Sequence, residues 1–322
     1  MKWVFRCLLS VLAVVVATGT LSFGKHAMAT RHAERAWQDR PSVALFGFGQ
    51  VERLEITVLA GPKADTAKGF IGELGLSLQL NVDGAKWLYD LGLGSLDGRN
   101  TVRKNAETAG VDLGDVDAVF LSHRHRDHMG GVEAEKSGWL DLLGIGSDTL
   151  RIVAPPDALD MPLQAVSEIF QPAIIGEGIA SLGPIRRALF VGPVDEQAMI
   201  LDVRGYGLVA VVGCGHQTVP KLAERIAEVF DRPLKAVVGD LHFPVPEGRL
   251  QIAGIDAQRR LASGAGPFNP IGETQVQEFQ EWATHNDLDV FLAGHDTHDA
   301  VLAMPFVTAL EVGQTVLLPR SQ

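Results

Sequence analysis

The chain of 322 residues is long enough for one large domain or two ordinary ones around a sizeable buried core. With 46% hydrophobic and 21% charged residues it has globular proportions, which excludes wholesale disorder. Its formal charge of −11 argues against a nucleic-acid backbone as the main partner, because phosphate binding needs a basic surface.

The first residues differ from the rest. Lys2 and Arg6 precede an uncharged run from Cys7 to Ala17, and small and polar residues then lead to Ala27-Met28-Ala29. A positive start, an apolar middle and an A-x-A site describe an export signal, so residues 1–29 are expected to be removed after Ala29. The alternative is an uncleaved anchor, since Cys7 to Phe23 spans 17 residues, the short edge of a bilayer crossing. Either reading places the remainder outside the cytoplasm, as a periplasmic or secreted protein or a membrane-anchored one. Residues 30–41, polar and charged, read as a linker, and 42–322 as a single domain. The only cysteines are Cys7 and Cys214. Loss of the signal leaves Cys214 alone, with no intramolecular disulfide possible. Cys214 lies two residues before His216, so a ligand role is open, although packing as a small buried thiol is the commoner outcome.

From Ser42 onward strands and helices alternate. LEITVLAG and LSLQLNVDG have the β-branched content and period-two alternation of strands, the second turning at Asp83-Gly84 into KWLYDLG. Asn100 to Ala109 fits a helix stopped by Gly110. A strand ending at Ser122 follows. Between Pro155 and Arg187, proline, glycine and isolated apolar residues suggest an irregular surface connection or a lid, with Met161, Ile169 and Phe170 as its apolar wall. Thr218 to Asp231 and Glu273 to Asn286 show helical spacing. Alternation of this kind implies an α/β domain, with functional groups gathered at the carboxyl ends of strands.

Four apolar runs end in turns that carry histidine or aspartate: DAVFLSHRHRDH, LVAVVGCGH, KAVVGDLHF and VFLAGHDTH. In the first, His123, His125, Asp127 and His128 form an H-x-H-x-D-H frame, and imidazole and carboxylate are the usual ligands of zinc and other first-row metals. Residues two apart in extended chain point the same way, so His123 and His125 can approach one metal together. Asp127 and His128, where the chain turns, can face a second. Gly130-Gly131 then permits a tight turn.

These motifs resemble the metallo-β-lactamase-fold hydrolase superfamily, over nearly everything from Leu54 to Leu318. The resemblance implies an αββα sandwich of two mixed β-sheets flanked by helices. It implies His123, His125 and His216 as ligands of a first metal, and Asp127, His128 and His295 as ligands of a second. Asp240 would be the bridging carboxylate, with the GDLH turn leaving open whether Asp240 or His242 is the ligand from that turn. Asp90 matches a supporting carboxylate that orients a ligand without binding metal. GLSLQLNVDGAKWLYDLG, KNAETAGVDLGDVDAVFLSHRHRDHMGGV and VVGCGH are similar to a subgroup named for a dihydropteridine-aminobenzene phosphate synthase.

Two divalent cations are therefore expected, zinc first, with iron or manganese as alternatives. The implied activity is hydrolysis of a small ester, lactone, amide or phosphoester by a metal-activated hydroxide, with Asp127 orienting the nucleophile and taking part in proton transfer. An iron-dependent redox or transfer enzyme on the same ligands is the alternative. His242 and His298 are candidates to face substrate, though His298 also reads as a polar loop residue. Arg124 and Arg126, inside the motif, are either solvated charges or contacts to an anionic substrate.

Overall fold

The computed structural model describes residues 2–94, 100–131, 150–156 and 166–319. Two seven-stranded mixed sheets lie at its centre. The first contains β1 (Leu54–Ala60), β2 (Ser77–Val82), β3 (Ala85–Tyr89), β4 (Ala118–Phe120), β5 (Arg151–Ala154), β6 (Val166–Glu168) and β18 (Thr315–Leu318), in the order β18-β1-β2-β3-β4-β5-β6. The second contains β7 (Ala173–Gly176), β8 (Ile179–Ser181), β11 (Met199–Val203), β12 (Gly207–Val212), β13 (Leu234–Gly239), β16 (Asp289–Leu292) and β17 (Val307–Ala309), in the order β17-β16-β13-β12-β11-β8-β7. β3, β4, β5 and β6 run parallel, as do β12, β13, β16 and β17.

Period-two alternation divides each central strand between two layers. In β12, Val209 and Val211 enter the core between the sheets, while Leu208, Ala210 and Val212 pack towards helices Val219–Val229 and Glu273–His285. Both faces are covered, which is why GLVAVV reads as a continuous apolar run. The first sheet repeats the plan. Leu54, Ile56 and Val58 face the second sheet, and Leu59 packs with Val102 and Ala106 of helix Thr101–Ala109. That helix begins at Asn100, whose side chain accepts from Arg103 N, and ends at Gly110 with φ 71°. The outcome is the αββα sandwich expected from the motifs.

One expectation is corrected and one stretch takes a definite form. Most of the 30–41 stretch is helical, because the N-terminal helix runs from Lys2 to Gln38. It packs on the hairpin of β9 (Ile185–Leu189) and β10 (Gly192–Glu196), with Ala33 buried and Lys221 Nζ 2.8 Å from Glu34. Among the described residues no helix is long and apolar enough to cross a membrane. The Pro155–Arg187 segment is not irregular over its described part: it forms β6, β7, β8 and the start of β9. Ile169, expected in a lid, is buried in the core between the sheets, whereas Phe170 is exposed; Met161 lies outside the described residues.

Candidate metal centre

The parallel strands deliver the chemistry. β3 ends at Asp90, β4 leads into Ser122–His128, β12 into Cys214 and His216, β13 into Asp240 and His242, and β16 into His295 and Asp296. Parallel neighbours end on the same edge, so residues more than 200 positions apart meet there. Two close approaches require glycine. At Gly131 (φ 71°) a Cβ would lie 1.8 Å from Leu93 O, and at Gly213 it would lie 2.2 Å from Ser122 Oγ. The first lets the H-x-H-x-D-H loop turn; the second lets the two sheets' strand ends touch.

His123, His125 and His216 come together. Ring centroids of His123 and His125 are 4.6 Å apart, those of His125 and His216 4.8 Å, and His216 Nε2 is 3.1 Å from His125 Nδ1. Beside them, His128 and His295 stack edge-on with centroids 5.0 Å apart, and His295 Nε2 is 2.9 Å from Asp127 Oδ2. The potential ligand atoms of His123, His125, Cys214 and His216 all lie within 4.8 Å of one another. The same limit holds for Asp127, His295 and Asp296, and for His128, Cys214 and His295.

Asp90 holds both halves. It accepts from Ser122 N at 2.7 Å and from Ser122 Oγ at 2.6 Å, and its Oδ2 is 2.7 Å from His128 Nδ1. Ser122 Oγ is in turn 2.8 Å from His123 Nδ1. With Ser122 donating to Asp90, both imidazoles carry a proton on Nδ1 and direct Nε2 to the centre. A further support is Glu196, whose carboxylate accepts from Cys214 N and Gly215 N at 2.9 Å and from His216 N at 2.6 Å.

Asp240 is placed differently from the bridging position expected of it. Its Oδ1 accepts from Leu241 N at 2.7 Å and from the Thr297 hydroxyl, and its Oδ2 accepts from Asp296 N at 2.9 Å. Both oxygens are thus hydrogen-bonded, to Leu241 and to the Asp296–Thr297 turn. The carboxylate that faces the histidines is Asp296, with Oδ2 at 3.0 Å from His242 Nδ1, 3.3 Å from His295 Nε2 and 3.1 Å from Cys214 Sγ. Cys214 is buried as expected, yet its sulfur points into the cluster, 3.0 Å from His128 Nε2. His242 joins the group of Cys214, His216 and Asp296, so of the two candidates in GDLH it is the histidine that faces the centre. His298 stays out: its Nδ1 accepts from Ala300 N at 3.0 Å and caps helix Asp299–Leu302. Arg124 and Arg126 are exposed on the motif loop.

Burial pushes His123 and His216 well below the ordinary histidine value, and His125 down to about 4, so all three are neutral imidazoles. Burial acts on His128 and His295 in the same sense, but Asp90 lifts His128, and Asp296 and Asp127 lift His295. Asp127 is half-buried, which alone would raise it, yet His295 holds it well below the usual carboxylate range. The Cys214 thiol is pushed up by burial and by the charge of Asp296.

A cation fits this donor set. The buried Nε2 atoms of His123 and His242 have no hydrogen-bond partner among the described residues, which is costly unless another group meets them. Imidazole, carboxylate and thiolate together suit zinc and its neighbours.

Residues 80–218 match the family model described as the metallo-beta-lactamase superfamily. One solved structure with the same architecture is Tm1679, a metal-dependent hydrolase of the β-lactamase superfamily. It is 20% identical, with a TM-score of 0.56 over 82% of this chain and 98% of that one. Another is the metallo-β-lactamase fold protein YhfI from Bacillus subtilis, 15% identical, with a TM-score of 0.53 over 83% and 99%. This chain has the metallo-β-lactamase fold. A metal-dependent hydrolase fits both that fold and the donors at its strand ends. No curated protein sequence matches.

Asp296 and Glu196 were not picked out from the sequence. Asp296 follows His295 directly in GHDT, so adjacency to a ligand candidate was an available signal. Glu196 had none, since it lies 18 residues from the nearest atom it holds.

Proposed function

We propose that the chain is a hydrolase with a dinuclear metal centre, acting on a small ester, lactone, amide or phosphoester. The observation that carries this reading is the convergence of buried imidazoles with unpartnered Nε2 atoms and the Asp127 and Asp296 carboxylates at one sheet edge. One cation would be held by His123, His125 and His216, and the other by Asp127, His128 and His295. Asp296 and Cys214 lie within 4.8 Å of ligand atoms in both groups and would be shared. Divalent cations there, zinc first and iron or manganese next, would supply Lewis acidity and make water acidic enough to ionise near neutral pH.

The protein's own residues supply orientation and proton transfer. Asp90, directly and through Ser122, fixes the rings of His128 and His123. Asp127, paired with His295, would orient the nucleophile and take part in proton transfer. His242 borders an adjoining cavity, where it would face the leaving group. The sequence similarity to the dihydropteridine-aminobenzene phosphate synthase-like subgroup supports a closer relationship to it, without fixing an activity. The N-terminal signature supports export, to the periplasm or medium.

Metal analysis of the purified protein, coupled to a panel of lactone, ester, phosphodiester and β-lactam substrates, tests the proposal. Two equivalents of metal and turnover lost in the His123→Ala/His128→Ala double variant are expected. A fully active double variant would overturn the reading, and turnover confined to oxidation with iron would replace it by the redox alternative.

A further inference from the structure

A cavity of about 460 Å³ opens beside the histidine cluster, with His216 and His242 in its wall. Leu241, Phe243, Phe279 and Trp282 make its lining mainly apolar. This is the size of a site for a small organic molecule. Arg187 of β9 enters that lining, which has no other lysine or arginine; its one carboxylate is the exposed Glu278.

Arg187 differs from the residue before it. Arg186 is paired across the hairpin with Asp195 at 2.9 Å. Arg187 is half-buried, its Nη2 donates to Gly264 O at 2.5 Å, and no carboxylate forms an ion pair with it among the described residues. Glu34 of the N-terminal helix acts on it only at longer range, being engaged with Lys221 Nζ. Burial consequently pushes the guanidinium pKa down. A guanidinium held against apolar walls without a counter-ion is costly, and its remaining N–H donors are suited to a planar oxyanion.

We infer that Arg187 binds the anionic end of the substrate, and that the substrate is a monocarboxylate with an apolar or aromatic body. Glu278, the one carboxylate of the lining, is exposed and forms no ion pair with Arg187, so the guanidinium fork is left to match a carboxylate of the ligand. The apolar walls take the body, and the group to be cleaved lies at His216 and His242. This last placement rests on the hydrolase reading; the carboxylate recognition does not.

The test is calorimetric titration of the metal-loaded full chain with 4-phenylbutyrate and with its neutral amide, 4-phenylbutyramide. The carboxylate is expected to bind at least about tenfold more tightly, the effect of a charge-assisted hydrogen bond. In Arg187→Gln, which keeps a donor for Gly264 O, the ratio should fall to about one, whereas Arg187→Lys should retain part of it. Trp282→Ala should weaken both ligands alike and leave the ratio unchanged. Equal binding of the two ligands by the wild type, or no binding of either, overturns the inference. A preference that survives in Arg187→Gln also overturns it, because the metal centre would then be reading the anion. Melting curves check that each variant is folded, and the lysine variant carries the test if the glutamine variant is not. Binding is measured without turnover, so failure of the hydrolase proposal and failure of this one give different results.

Discussion

The two halves of the centre are built from similar ligands in opposite electrostatic settings. His123, His125 and His216 crowd one another, and burial keeps them neutral. His128 and His295 are equally buried, but Asp90, Asp127 and Asp296 surround them and favour their protonated forms. Burial alone therefore does not decide a histidine's charge; the nearest carboxylate does. The first half offers lone pairs to a cation, and the second offers negative charge screened by protons that a cation must displace.

The largest effects should come from removing one imidazole from each half. His216→Ala should cost at least about a thousandfold in turnover and one equivalent of metal, with the second half still loaded. His295→Ala should lose the other equivalent at a comparable cost, since in the proposed dinuclear centre two ions would act together on one reaction. Metal counting with steady-state kinetics on both variants checks this. Loss of both equivalents in either variant would show that the halves are not separable.

Asp90→Asn should act on both halves, because Asp90 reaches His128 directly and His123 through Ser122. Affinity for metal should fall about 10- to 100-fold with the ligands unchanged, the usual effect of losing a ligand's carboxylate partner. A competitive chelator titration measures it. An effect on one half alone would show that the Ser122 relay contributes nothing.

The correction at the GDLH turn predicts an unequal pair. Asp296→Asn should weaken metal binding strongly, since Asp296 Oδ2 faces His242, His295 and Cys214. Asp240→Asn should keep the stoichiometry and lose less affinity, because it can still accept from Asp296 N and the Thr297 hydroxyl. Metal retention after dialysis ranks the two. If Asp240→Asn loses more metal than Asp296→Asn, the original bridging assignment returns.

Local patterns made much of this legible beforehand. GLVAVV, the helix from Asn100 to Gly110 and the H-x-H-x-D-H frame each announce themselves within a dozen residues, and the histidines they predicted do converge. What was hidden depends on contacts between distant segments. Nothing local tells Asp240 from Asp296 as the carboxylate facing the cluster; that depends on which one the Thr297 turn consumes. Glu196 holds the backbone of Cys214, Gly215 and His216 from a separate hairpin, and no spacing rule marks it. The described strands between Pro155 and Arg187 are short, and their proline and glycine content masked the alternation. The helical stretch after Thr30 is polar because most of it is exposed, with Ala33 buried and Trp37 half-buried.

The subtlest consequence of the contrast concerns protons. A cation binding to His123, His125 and His216 finds imidazoles already deprotonated at neutral pH, His125 having been pushed down to about 4. Binding to the second half must expel protons, because the carboxylates raise His128 and His295 above the ordinary value. The sign follows: as pH falls, protons compete first for the second half, so its ion should leave before the first half's does. Calorimetric titration in buffers of different ionisation enthalpy should find close to zero protons released with the ion of the first half and about one or more with that of the second. Equal release from both would mean that the carboxylates around His128 and His295 do not set their protonation, and the proposed distinction between the halves would fail at its electrostatic root.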